Sequence, residues 1–129
     1  MYHLTALVTL LAVAFYFFTC VHVARARSAY GVKAPAMFGQ PDFERAFRVQ
    51  MNTLEWMPIF LPSLWLFAIY IGDATAAAIG LVWIAGRIVY FIGYSREAAK
   101  RGPGFAIQAF AGMALWAGAL WAVVWRLAH

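Results

Sequence analysis

Four apolar segments, each long enough to cross a bilayer, constrain this chain more than any other feature of its sequence. A membrane-spanning helix needs about 20 predominantly apolar residues, and only helices and closed barrels satisfy every backbone polar group within lipid. The chain is therefore predicted to be an all-α, integral membrane four-helix bundle, formed by one domain over residues 1–129. The predicted helices cover about 4–24, 46–71, 75–98 and 105–127.

Composition and charge distribution support a membrane protein rather than a soluble module. Hydrophobic residues make up 65% of the chain and charged residues 12%. In soluble domains about 45–50% of residues are apolar and about 25% are charged. The net charge of +5 does not indicate nucleic-acid binding, because the basic residues gather in loops 25–45 and 95–104. Pro41 and Pro103 are also assigned to these loops. The positive-inside rule places both loops in the cytoplasm and both termini on the opposite side of the membrane.

The second apolar segment carries polar side chains on one helical face. Its polar residues are Arg45, Arg48, Asn52 and Glu55. Their spacing of i, i+3, i+7 and i+10 gives a stripe roughly 80° wide on a helix. A charge at membrane depth costs roughly 3 kcal/mol or more, so such residues normally face a bundle interior or a wet cavity. The stripe therefore predicts a polar site within the bundle.

The third segment carries a matching stripe, formed by Arg87, Tyr90 and Tyr94. If this helix continues past the membrane surface, Arg101 falls within roughly 60° of Arg87 on the same face. The glycine and proline residues at 102–104 are then expected to end the helix. A short turn joins the second and third segments, so both stripes should reach the same end of the bundle.

Structural alternatives are open for several of these residues. Glu55 and Arg87 lie at similar depth, and we predict a buried ion pair between them. Asn52 could form a hydrogen bond between helices, and Tyr94 could belong to the interfacial aromatic belt. Arg101 could be an anchor for a lipid phosphate. Each of these roles competes with direct contact to a ligand.

The residue types in the two stripes suit a small zwitterionic ligand that carries several negative charges. Arginine pairs with carboxylates through two parallel hydrogen bonds, and a glutamate can bind an ammonium group. Glutathione, with two carboxylates and one amine, matches these residues, although a phospholipid headgroup also fits. No pair of His, Cys or carboxylate residues has metal-ligand spacing, so no metal is predicted.

Two sequence blocks resemble the MAPEG family, the membrane-associated proteins of eicosanoid and glutathione metabolism. The block FERAFRVQMNTLEWMPIFLPSLW is similar to that family's R-x-x-R-x-Q-x-N-x-x-E helix. The block GLVWIAGRIVYFIGYSREAAKR is similar to its R-x-x-Y-x-x-x-Y segment. The pattern is most similar to the subgroup of type 2 and type 3 microsomal glutathione transferases and leukotriene-conjugating synthases.

The resemblance implies a homotrimer in membrane lipids, with glutathione bound as co-substrate between subunits near the cytoplasmic face. It implies a transferase that conjugates glutathione to hydrophobic electrophiles in detoxification, and lipid hydroperoxide reduction is a further expected reaction. The implied glutathione-binding residues are Arg27, Arg48, Gln50, Asn52, Glu55, Tyr90 and Tyr94. Arg101 is implied as the catalytic residue that stabilises the thiolate.

The implied mechanism depends on thiol ionisation. A thiol with a pKa of about 8.5 is mostly protonated at neutral pH, and a nearby guanidinium lowers that pKa. Ser28 and Trp56 differ from the residues at these positions in leukotriene-forming family members, so conjugation in general is expected rather than leukotriene synthesis. The alternative function is non-catalytic binding of lipid or glutathione, as in the lipoxygenase-activating branch of the family.

Overall fold

The structure is a computed structural model that describes residues 1–129, apart from the side chain of Ala98. The described chain forms four long α-helices, each long and apolar enough to cross a membrane, which confirms the all-α, four-helix prediction. These helices are α1 (His3–Tyr30), α2 (Pro41–Tyr70), α3 (Asp73–Arg96) and α4 (Gly102–Ala128). A 3₁₀ turn at Ala98–Arg101 connects α3 to α4.

The helix ends follow local sequence signals. α1 ends before Gly31, whose φ of +67° lies in the left-handed region that glycine adopts readily. The Gln40 side chain caps α2 by accepting a hydrogen bond from the Asp42 amide at 2.8 Å. Pro41 lies in the first turn of α2 and Pro103 in the first turn of α4, where a missing N–H is tolerated. The assignment of both prolines to loops is therefore wrong, because both lie in the first turns of helices.

Asp73 connects the α2–α3 hairpin to the start of α1. Its carboxylate accepts hydrogen bonds from the backbone N–H groups of Leu4 at 3.2 Å and Thr5 at 2.8 Å. The first N–H groups of a helix have no partner within that helix, so Asp73 caps α1 from a distant part of the chain. This contact places the start of α1 and the α2–α3 turn at one end of the bundle, and the two basic loops at the other.

The core lies between α2 and α3 at the middle of the bundle. Phe60 and Trp83 are both fully buried, and their rings are parallel with centroids 3.9 Å apart. Large apolar side chains also cover the outside of the bundle, and they include Leu10, Phe110 and Trp121. This distribution suits a helix bundle whose outer surface contacts lipid.

α3 and α4 approach each other backbone to backbone through two glycines. A Cβ at Gly104 would lie 2.1 Å from the Tyr90 backbone nitrogen, and one at Gly86 would lie 2.6 Å from that of Gln108. No larger side chain fits at either position, which is how small residues permit close helix packing. The contact at Gly104 holds Tyr90 against the start of α4.

Candidate functional site

A polar cleft of about 200 Å³ opens at the end of the bundle that carries the basic loops. Side chains from α2, α3 and the 3₁₀ turn line it: Arg48, Met51, Asn52, Glu55, Tyr90, Tyr94 and Arg101. Six of the eight predicted site residues therefore meet in one place. Met51 is not predicted from the sequence, because a methionine in an apolar helix gives no polar signal.

Arg101 reaches the cleft by a path that differs from the predicted one. α3 ends at Arg96, and the 3₁₀ turn then carries Arg101 back towards α3. The guanidinium carbon of Arg101 lies 5.8 Å from the centroid of the Tyr94 ring, which is a distance for cation–π attraction. The predicted helical continuation to Arg101 is wrong, and residues 102–104 begin α4 instead of ending α3.

Arg87 lies directly behind the cleft and is fully buried. Its Nη1 donates a hydrogen bond to Asn52 Oδ1 at 2.7 Å, and its Nη2 donates one to Thr53 Oγ1 at 2.6 Å. Its guanidinium carbon lies 4.4 Å from the centroid of the Tyr90 ring. Among the described residues, Arg87 forms no ion pair. A buried charge is thus held by neutral oxygen atoms and an aromatic face.

The predicted ion pair between Glu55 and Arg87 is therefore wrong. Glu55 is exposed at the cleft, whereas Arg87 is enclosed within the bundle. The reason is the direction in which α2 presents its side chains: Asn52 and Thr53 meet α3, and Glu55 lies at the open edge. The Glu55 carboxylate consequently remains available to a ligand.

The contact with Arg87 also orients the amide of Asn52. Because the Asn52 side-chain oxygen accepts a hydrogen bond from Arg87, its N–H donors are left for another partner. Asn52 lines the cleft, so these donors can serve a ligand acceptor. Thr53 is not predicted from the sequence, although it directly follows Asn52 and accepts the second Arg87 hydrogen bond.

Arg27 and Gln50, the other two predicted binding residues, lie outside this cleft. Gln50 Nε2 donates to the Cys20 sulfur at 3.4 Å, and so it points towards α1. Arg27 Nη1 donates to the Ala36 carbonyl at 2.8 Å, and its guanidinium carbon lies 5.0 Å from the Phe43 ring centroid. One copy of the chain therefore does not bring these two residues to the other six.

An apolar cleft of about 280 Å³ adjoins the polar one and shares Arg48, Met51 and Glu55 with it. Its remaining lining residues are Met37, Phe38 and Phe47. Among the residues that the structure describes, no group of three or more His, Cys, Asp or Glu side chains is placed to hold a metal ion. The site thus offers charged and hydrogen-bonding groups beside an apolar surface.

The sequence model of the MAPEG family matches residues 5–121, which include every residue of the polar cleft. The chain belongs to the MAPEG family. This MAPEG protein is 50% identical over 122 residues to an uncharacterised protein of Synechocystis, covering 95% of this chain and 89% of that relative. The family resemblance predicted from the sequence is thus confirmed.

Two relatives of this MAPEG protein have names that state an activity. It is 42% identical to microsomal glutathione S-transferase 2 of Homo sapiens over 105 residues, covering 81% of this chain and 71% of the relative. It is 43% identical to leukotriene C4 synthase of Cavia porcellus over 98 residues, covering 76% of this chain and 65% of the relative. Family membership and four helices able to span a membrane identify an integral, multi-pass membrane protein.

Proposed function

We propose that this MAPEG protein is a membrane glutathione transferase that conjugates glutathione to hydrophobic electrophiles. The observation that carries the proposal is the meeting of six polar side chains in one cleft at the end of an apolar bundle. They provide two guanidinium groups, one carboxylate, one amide and two phenol groups. Glutathione presents complementary groups: two carboxylates, one ammonium, two amides and a thiol.

Each polar side chain has a binding role that follows from its chemistry. Arg48 pairs with a glutathione carboxylate through charge-assisted hydrogen bonds, and Glu55 binds the ammonium group. The oriented amide of Asn52 donates to a peptide oxygen of the ligand. The hydroxyl groups of Tyr90 and Tyr94 complete the hydrogen bonds on the α3 side.

Arg101 activates the thiol. Its positive charge favours the thiolate over the protonated thiol, which lowers the thiol pKa. The thiol proton passes to water, and the thiolate then forms a carbon–sulfur bond with the electrophile. Either the leaving group departs with its bonding electron pair, or an epoxide C–O bond breaks and its oxygen takes up a proton from water. An electrophile dissolved in the bilayer can approach across the apolar surface next to the cleft.

The binding site is completed by a neighbouring copy of the chain in a homotrimer. The polar cleft has a volume of about 200 Å³, which is below the range of about 300–1,000 Å³ for ligand pockets. Arg48 and Glu55 are exposed at its edge in one copy, although exposed charges are costly within a membrane. Arg27 of α1 and Gln50, which points from α2 towards α1, are supplied by the neighbour. The basic residues in the two loops support a cytoplasmic position for this end, in line with the positive-inside rule.

The transferase proposal is tested with purified protein in mild detergent. Glutathione should be conjugated to apolar electrophiles, and bound glutathione should show increased ultraviolet absorbance of the thiolate. Arg48→Ala should weaken glutathione binding by at least about tenfold, because a hydrogen bond to a charged group contributes about 1.5–3 kcal/mol. Calorimetry measures this affinity.

Lys100→Ala is the matched control for Arg48→Ala. Lys100 is an exposed basic residue at the same end of the bundle and lies outside the cleft lining, so its removal should leave glutathione affinity unchanged. An unchanged dissociation constant for Arg48→Ala would place glutathione elsewhere. Binding with neither turnover nor thiolate absorbance would identify a non-catalytic binding protein instead.

The homotrimer is tested by mass and by mixing two variants. Native mass measurement in mild detergent should give three copies of the chain. Arg27→Ala and Arg48→Ala should each lose activity, and trimers that contain both variants should recover part of it, because some interfaces then combine both intact arginines. Observation of monomers only would reject the assembly. Mixed trimers that stay inactive would place both arginines in the site of a single subunit.

A further inference from the structure

A polar groove lies at the same end of the bundle and shares no lining residue with the polar cleft proposed to bind glutathione. We name it the basic groove. Its volume is about 420 Å³, and α1, α2 and α3 all contribute to its walls. Its polar lining residues are His22, Arg25, Tyr30, Asp42, Arg45 and Ser95. The proposed glutathione chemistry uses none of these side chains.

Two buried polar atoms in the basic groove lack partners. Arg45 Nε and Ser95 Oγ are both buried, and neither has a hydrogen-bond partner within the part of the chain that the structure describes. Buried polar groups in native proteins are normally paired, and an unpaired one requires an explanation such as a bound ion. The Arg45 Nη2, which lies on the same edge of the guanidinium as Nε, pairs with Asp42. The Arg45 Nη1 donates no hydrogen bond among the described residues, so it is the donor left for a ligand in the groove.

The charges of the groove favour an anion. Arg25 and Arg45 provide two positive charges, against one negative charge from Asp42. The Asp42 carboxylate already accepts hydrogen bonds from Arg45 and, at 3.2 Å, from the Tyr30 hydroxyl. The groove consequently retains the Arg25 guanidinium, the Nη1 of Arg45 and the Ser95 hydroxyl for an acidic partner. Arginine is well suited to phosphate because its donors match the phosphate oxygens.

The wall next to the groove is aromatic. The Phe91 ring centroid lies 4.9 Å from that of His22 and 5.0 Å from that of Phe18. Phe18 and Val21 are exposed on the outside of α1. A phosphate bound at Arg25 would thus have apolar side chains beside it, along which an acyl chain could pack. A free phosphate ion would gain nothing from this surface.

We propose that the basic groove binds the phosphate of an anionic phospholipid, with Arg25 and Arg45 as its charged partners and Ser95 as a hydrogen-bond donor. The groove lies where α1 ends and α2 begins, beside the loop that the charge distribution places at the membrane surface. The lipid headgroup is held there by the arginines, and its acyl chain lies against Phe18 and Phe91. This proposal does not depend on the transferase activity.

Lipid retention measured by native mass spectrometry tests the basic groove. Delipidated protein in detergent is mixed with phosphatidylglycerol or phosphatidylcholine, and we expect a several-fold preference for phosphatidylglycerol. Arg25→Gln and Arg45→Gln should each reduce phosphatidylglycerol retention by about fivefold, the effect expected of one basic residue at an anionic lipid surface. Asp42→Asn should increase retention, because it removes the one negative charge of the groove.

Lys100→Gln is the control for charge removal at the same end of the bundle, and it should leave the preference unchanged. Equal retention of the two lipids, or equal losses in Arg45→Gln and Lys100→Gln, would overturn the proposal. Displacement of phosphatidylglycerol by an equal concentration of inorganic phosphate would show that free phosphate is the ligand and would also overturn it. If an arginine variant does not fold, Ser95→Ala decides the outcome, since loss of its hydroxyl must lower the preference.

Discussion

Replacing Arg101 with alanine is expected to reduce turnover at neutral pH strongly while glutathione affinity changes little. Arg101 lines the cleft, with its guanidinium carbon 5.8 Å from the Tyr94 ring centroid, and the proposed mechanism uses its charge to hold the thiolate. Each pKa unit of thiolate stabilisation corresponds to about 1.36 kcal/mol. A loss of one to two units therefore predicts a decrease of about tenfold to a hundredfold in the thiolate population.

The pH profile of turnover distinguishes this role from a structural one. Without the guanidinium the thiol pKa should rise, so activity in Arg101→Ala should appear at higher pH than in the wild type. Arg101→Lys retains the charge and should have an intermediate profile. Full activity of Arg101→Ala at neutral pH would show that Arg101 anchors a lipid phosphate, and the activating charge would then have to come from Arg27 or Arg48.

Replacing Arg87 with methionine should separate binding from stability. Arg87 is fully buried and its partners are neutral oxygen atoms, whereas a buried charge is costly unless it is paired. Methionine of similar length should therefore leave the unfolding temperature unchanged or raise it. Glutathione affinity should nevertheless fall by about tenfold, because the orienting charge-assisted hydrogen bond to Asn52 is lost. Thermal unfolding and calorimetry measure the two effects.

Thr53→Ala is the matched comparison for Arg87→Met. It removes the other acceptor of the Arg87 guanidinium and keeps the contact to Asn52. This variant should lose stability, since it leaves a buried charged donor unpaired, and it should retain most of its glutathione affinity. If the Arg87→Met protein unfolds at a lower temperature but binds glutathione normally, Arg87 has a structural role and does not orient Asn52 for glutathione binding.

Helical periodicity accounts for the part of the cleft that could be predicted from the sequence. Arg48, Asn52 and Glu55 repeat at helical spacing on α2, and Tyr90 and Tyr94 do so on α3. The two stripes meet because the helices are adjacent and antiparallel. Polar residues at these spacings in apolar segments are sufficient to identify the facing sides of two helices, and the structure joins them in one cleft.

Helical periodicity does not predict the position of a residue where the backbone leaves the helix. It also does not predict the partner of a buried side chain when that partner depends on the depth of the side chain in the bundle. Arg101 reaches the cleft through a 3₁₀ turn, and no helical projection describes that path. The partners of Arg87 depend on which α2 side chains face α3 at its level, and spacing alone does not distinguish Asn52 from Glu55. The close approach of Gly104 to the backbone of α3 also cannot be predicted from spacing along one helix, because it depends on the backbone of another helix.

The carboxylate of Asp73 sets an order of assembly for the bundle. α1 is synthesised before Asp73, yet the amides at its start find their acceptor on that residue, 68 and 69 positions further along the chain. The first turn of α1 is thus capped only after the α2–α3 hairpin has been made and has packed against it.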